Sequence, residues 1–123
     1  MIHGVVNDNL EAIISIRLGG PGGLEQDIEA VIDTGFNGFL IVSPALVGRM
    51  GLLRIGRSRV QLANGQEEFL DLYEVRVLWD GHWQIVETDA AETDALVGMS
   101  LARGYSVYVE AVEGSRVVIE PLP

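Results

Sequence analysis

The sequence predicts a mainly β protein, folded as a closed or partly closed barrel with little helix. Three observations carry that expectation. Apolar side chains alternate with others along short runs, as where Ala12, Ile14, Ile16 and Leu18 interleave with Glu11, Ile13, Ser15 and Arg17. Strong turn formers separate the runs: Gly19-Gly20-Pro21-Gly22-Gly23, Asn64-Gly65, Asp80-Gly81 and Glu113-Gly114. The runs are short and regularly spaced, which suits strands that fold back on their neighbours and close a sheet on itself.

Taken in order, residues 10–18 read as the first strand and residues 27–32 as its hairpin partner across the glycine-rich turn. Residues 39–42 form a short apolar strand. Ser43-Pro44 then opens a short helix, with the hydroxyl at the N-cap and proline at the first helical position. That helix runs through Ala45, Leu46, Val47 and Met50 and stops at Gly51. Residues 60–63 and 69–79 are strands joined around Asn64-Gly65, and residues 82–87 return after Asp80-Gly81. Residues 87–94 are acidic and read as a solvated loop. Residues 95–98 form a short buried strand, and residues 99–103 a helical turn stopped by Gly104. Residues 105–111 and 116–120 form the last hairpin.

The 123 residues are expected to form one domain spanning the chain, large enough for a real core. The formal net charge is −10, there is no lysine, and all eight basic residues are arginine. Nucleic acid is therefore an unsuitable partner, because phosphate binding needs a basic face. With no cysteine there is no disulfide and no thiolate metal site, and His3 and His82 are far apart. Charged residues interrupt every apolar run, so no membrane span is expected. The N-terminus lacks a basic region followed by an apolar stretch, and a cytoplasmic protein is the expectation.

Chemistry concentrates at Ala30-Val31-Ile32-Asp33-Thr34-Gly35-Phe36. An apolar strand ending in an aspartate and turning at once presents that carboxylate at a loop tip. A lone exposed carboxylate is a poor acid and a poor base at neutral pH. Two carboxylates about 3 Å apart cannot both ionise, so one can take a proton from water while the other gives one to a carbonyl oxygen. Asp27, Asp71, Asp80, Asp89 and Asp94 all lack a following Ser/Thr-Gly. A second copy of the chain, related by a two-fold axis, would supply the missing partner.

The motif apolar-apolar-Asp-Thr-Gly resembles the signature of retroviral-type (retropepsin-like) aspartic proteases, and the likeness extends along most of the chain. Residues 14–20 resemble the strand and turn before the catalytic hairpin, and Gly38 to Val42 the strand after it. The Ala63-Asn64-Gly65-Gln66 hairpin falls where the family places its flap. Ala95-Leu96-Val97-Gly98 resembles the apolar-apolar-Gly element near the catalytic loop, and residues 99–102 the short helix that follows. Phe36 after the motif is closer to bacterial single-domain relatives than to retroviral enzymes. Met99 stands where retroviral members carry an interface arginine, and the flap has one glycine rather than a cluster.

The resemblance implies a retropepsin-like β-barrel with a flap hairpin and one or two short helices. It implies an aspartic endopeptidase that hydrolyses a peptide or protein substrate as a homodimer, with neither metal nor organic cofactor. Asp33 would be catalytic, Thr34 would bond across the dimer axis, and Gly35 would let the loop turn beneath the carboxylates. Ala63, Asn64, Gly65 and Gln66 would cover bound substrate. A second reading stays open: a dimer of the same fold that binds peptides or proteins and cuts nothing. Other residues read as structural. Trp79 and Trp83 are expected to pack across their hairpin, His82 to be exposed, Glu67-Glu68 to be a solvated face, and Tyr73, Tyr105 and Tyr108 to be half-buried.

Overall fold

The computed structural model describes residues 1–61 and 64–123. Ten strands and one helix follow in order: β1 (Ile2–Val6), β2 (Ala12–Gly19), β3 (Glu25–Ile32), β4 (Leu40–Val42), α1 (Pro44–Met50), β5 (Leu53–Gln61), β6 (Glu67–Trp79), β7 (His82–Ala90), β8 (Leu96–Val97), β9 (Tyr105–Val109) and β10 (Arg116–Pro121). They form one sheet in the order β5-β6-β7-β4-β8-β3-β2-β1-β10-β9, with a further β6–β2 pairing. That extra pairing closes β2, β3, β8, β4, β7 and β6 into a barrel, as the alternation and turns predict.

Strand β2 makes the closure possible by sharing one edge between two partners. Its first residues pair with β1 (Val6↔Ala12 to Gly4↔Ile14), and its last with β6 (Arg17↔Leu78 to Gly19↔Arg76). Its other edge pairs with β3 throughout, from Ile13↔Val31 to Gly19↔Glu25. The turn between β2 and β3 is held by Gly20 N–H to Leu24 O at 2.9 Å. Period-two alternation sends Ile14, Ile16 and Leu18 into the barrel, where they meet Val42, Val75, Val77, Val97, Val117 and Ile119. Arg17 on the opposite face pairs with Asp27 across the hairpin.

Helix α1 follows its sequence signals closely. The Ser43 hydroxyl accepts from Leu46 N–H at 3.2 Å, Pro44 opens the helix, and Gly51 closes it in the left-handed region at φ 62°. The helix presses Leu46, Val47 and Met50 onto the core. After Val97 the chain makes a turn through residues 99–102 rather than a second helix, with Leu101 and Ala102 N–H both bonding Gly98 O.

Three elements differ from the sequence-based expectation. Residues 2–6 form β1, which bridges β2 and β10. The arm before Asn64-Gly65 begins at Leu53, not at residue 60. The acidic stretch from Glu87 continues β7 to Ala90, because β4 runs parallel beside it through Leu40↔Thr88, Ile41↔Asp89 and Val42↔Ala90. The partnered backbone favours a strand there over a solvated loop. The two tryptophans also separate. Register pairs Trp79 with His82 and Leu78 with Trp83, so the rings lie on opposite faces. Trp79 is 2% exposed and meets Tyr105 edge-on at 5.9 Å, while Trp83 is 42% exposed beneath the Arg76 guanidinium. Tyr73 and Tyr105 are half-buried, but Tyr108 is exposed, on edge strand β9. His82 is exposed, its Nδ1 3.0 Å from Asp80 O. No helix among the described residues is long and apolar enough to cross a membrane.

Candidate active site

Strand β3 ends at Ile32, and Asp33 begins the loop as the Asp-Thr-Gly pattern implies. The Asp33 backbone N–H donates to Val97 O at 2.9 Å, so the barrel strand β8 fixes the point of departure. The chain then turns, with Phe36 N–H bonding Asp33 O at 3.2 Å. Within the turn, Gly35 N–H donates to Asp33 Oδ1 at 2.9 Å, which orients the half-buried carboxylate. A Cβ on Gly35 would lie 3.3 Å from that oxygen, a tight contact that a side chain here would relieve only by shifting the carboxylate slightly. Thr34 and Gly35 are exposed at the tip.

A second layer braces this loop from behind. Met99 N–H donates to Phe36 O at 2.8 Å, Ser100 N–H to Gly38 O at 3.1 Å, and Gly98 N–H to Phe39 O at 3.0 Å. The Ser100 hydroxyl adds a bond to Asn37 O at 2.5 Å. These contacts require Gly98: a Cβ there would sit 2.1 Å from Gly38 O and 2.6 Å from Phe36 Cδ2. Phe36 covers this junction, its ring also filling the space that a Gly38 side chain would need. The Gly ending the Ala95–Gly98 segment is thus a close-packing residue, and Phe36 after the motif is its cover.

Beside the loop lies a cavity of about 520 Å³, in the size range of small-ligand pockets. Residues 35–39 form one wall and residues 58–61 of β5 the other, with Leu72, Glu87 and Asp89 between them. The long β5/β6 hairpin, paired from Leu53↔Glu74 to Gln61↔Glu67, therefore extends over the Asp-Thr-Gly side of the barrel. Its tip is a tight turn in which Asn64 Oδ1 accepts Gln66 N–H at 3.0 Å and Gly65 takes a left-handed φ of 83°. Asn64, Gly65 and Gln66 are exposed at that tip and do not line the cavity; the β5 arm does. Ala63 lies outside the described residues.

Sequence reasoning set Asp89 aside as a catalytic acid and gave no role to Thr88 beside it, yet Asp89 lines the cleft. Asp89 is only 8% exposed, and its carboxylate takes a hydrogen bond from the Ser58 hydroxyl of β5. Thr88, fully buried beside it, donates to Leu40 O at 3.1 Å and ties β7 to β4. The readable signal was the alternation Val86, Thr88, Ala90 against Glu87, Asp89, obscured by the local density of acids. Glu67 and Glu68 lie outside the cavity and are exposed, and Glu67 pairs with Arg59. Among the described residues no group of three or more His, Asp or Glu is placed to hold a metal.

No family model matches the sequence, and no curated protein matches it. A crystal structure of a retropepsin-like aspartic protease from Rickettsia conorii is similar, with a TM-score of 0.62 over 98% of this chain and 89% of that one. The sequences are 13% identical, so the likeness is one of architecture. Mainly β, with a barrel and a long hairpin whose β5 arm shares a cavity with residues 35–39, this chain has a retropepsin-like fold.

Proposed function

We propose that the chain is an aspartic endopeptidase of one domain, acting as a homodimer in which Asp33 of each copy supplies half of a catalytic dyad. The carrying observation is the Asp33 carboxylate, held by Gly35 N–H at an exposed loop tip beside the cleft. One loop per chain leaves the reaction half-equipped. A two-fold partner presenting its own Asp33 would place two carboxylates close enough to share a proton. Thr34, exposed at the tip, would bond across the axis and hold the loops together.

In that dimer the ionised carboxylate takes a proton from water as the water attacks the scissile carbonyl carbon. The protonated carboxylate gives its proton to the carbonyl oxygen. The resulting tetrahedral diol then collapses, the C–N bond breaks, and the amine leaves with a proton. No covalent intermediate forms, and no metal or organic cofactor takes part. Acid–base assistance of this kind contributes roughly a hundred- to ten-thousand-fold in rate. The bracing by Met99, Ser100 and Gly98 supports the reading, because a dyad needs loops that hold position. The β5/β6 hairpin would close over substrate, with Asn64, Gly65 and Gln66 at its tip and Ala63 beside them.

The test is cleavage of an unfolded protein mixture from about pH 4 to 7 by wild type and Asp33→Ala. Cuts made by the wild type alone support the proposal, and they should fade as pH rises and the shared proton is lost. Cuts that survive Asp33→Ala end it. A confirmed dimer that cuts nothing leaves a peptide-binding module on the same fold.

A further inference from the structure

The cleft beside Asp33 contains a buried carboxylate that the proposed hydrolysis does not use. We infer that Asp89, with Glu87 beside it, makes this cleft a subsite for an arginine or lysine side chain of the bound peptide. This rests on the reading of the cleft as a peptide-binding site, and it does not require that the peptide be cut.

Three features of the cleft carry the inference. First, Asp89 lines the cavity while only 8% exposed, and the Ser58 hydroxyl is its one hydrogen-bond donor among the described residues. A carboxylate so far removed from water is favoured by a cationic partner, and none of the ion pairs among the described residues includes it. Second, alternation along β7 puts Glu87 on the same face, also lining the cavity and also without an ion pair among the described residues. Arg59, the cationic residue of the lining, has its guanidinium turned to Glu67 at 3.2 Å. Among its described residues the cleft therefore holds two carboxylates without a matched cation. Third, Phe36, Phe39, Val60 and Leu72 give it apolar walls. Carboxylates within apolar walls match a side chain that has a hydrocarbon stem and a charged head. An acidic peptide would meet like charge, and a purely aliphatic one would leave Asp89 unpaired.

The test is equilibrium binding, by fluorescence anisotropy, of labelled octapeptides carrying arginine or uncharged norleucine at each position in turn. The protein is Asp33→Asn, so that hydrolysis cannot interfere, compared with Asp33→Asn/Asp89→Asn. The expected result at one position is binding about tenfold or more tighter for arginine than for norleucine, lost in the double variant. Asp33→Asn/Glu87→Gln changes an exposed side chain and should lower the same ratio about two- to threefold, which keeps the test open if Asp89→Asn folds poorly. Asp33→Asn/Glu92→Gln, altered in an exposed loop outside the cleft, should keep the full ratio. Equal affinity for both peptides at every position, a preference that survives both cleft variants, or no binding by any peptide would overturn the inference. Arginine-dependent binding by a protein whose wild type cuts nothing would uphold the subsite while removing the protease reading.

Discussion

Replacing Gly98 with alanine is expected to loosen the brace behind Asp33 and to destabilise the chain by about 2–5 kcal/mol. The added Cβ would stand 2.1 Å from Gly38 O and 2.6 Å from Phe36 Cδ2. Ordinary carbon contacts lie at about 3.5–4.0 Å, so the overlap cannot be absorbed by a rotamer change. Its first obstacle is backbone, and that backbone is pinned by Ser100 N–H to Gly38 O at 3.1 Å and Gly98 N–H to Phe39 O at 3.0 Å. Overpacking alone costs about 1–3 kcal/mol. Stretching one or two of these hydrogen bonds adds about 1 kcal/mol each. For a chain of this length the sum lowers Tm by roughly 8–20 °C.

The control is Gly22→Ala, where nothing lies within 4 Å of the added Cβ and φ is not left-handed. Both changes reduce the freedom of the unfolded chain alike, so their difference isolates the native clash. Thermal and urea unfolding followed by circular dichroism give the two stabilities, with an unchanged urea slope required for a like-for-like comparison. A gap below about 1 kcal/mol would refute the close-packing argument for Gly98.

Other positions give independent tests. Ser43→Ala removes the N-cap of α1 and should cost about 1 kcal/mol in urea unfolding, largely restored by Ser43→Asp. Thr88→Val keeps the volume but deletes the buried bond to Leu40 O, and should cost about 1–2 kcal/mol in the same assay. Burial, and then the Asp80 carboxylate that its hydroxyl bonds, hold the Tyr105 phenol above the usual tyrosine range. Because the folded value is raised, the stability it confers is complete below about pH 10 and declines as pH climbs through the folded value. Absorbance titration should show one late-ionising tyrosine that Tyr105→Phe removes; unchanged curves would contradict the assignment.

Local chemistry was legible, and long-range pairing was not. The β2/β3 hairpin, helix α1 and the Asn64-Gly65 turn were all readable, because turn and cap residues act within a few positions. Strand β5 was only partly visible. Among the described residues its one partner is β6, and most of its side chains are exposed, so no buried face imprints a pattern on residues 53–59. The end of β7 was hidden for the opposite reason: its acids suggest solvent, yet a parallel neighbour distant in sequence buries Thr88 and Asp89. At the candidate site, Asp33 and its turn followed from the motif. The family resemblance placed Ala95–Gly98 near that loop, but the hydrogen bonds by which Gly98, Met99 and Ser100 brace it, across some sixty residues, carry no local signal in either segment. Asp89 was weighed as a second catalytic acid and set aside for lacking a following Ser/Thr-Gly; its place in the cleft emerges only when β5 and β7 are brought together.

The central claim is that activity belongs to a pair of chains sharing Asp33. The most direct measurement mixes wild type with Asp33→Asn at constant total concentration, after re-equilibration, and follows cleavage of one peptide. A dyad shared between chains predicts activity falling as the square of the wild-type fraction, to about one quarter at equal mixing. A linear fall, to about one half, would mean that each chain acts alone and would contradict the account.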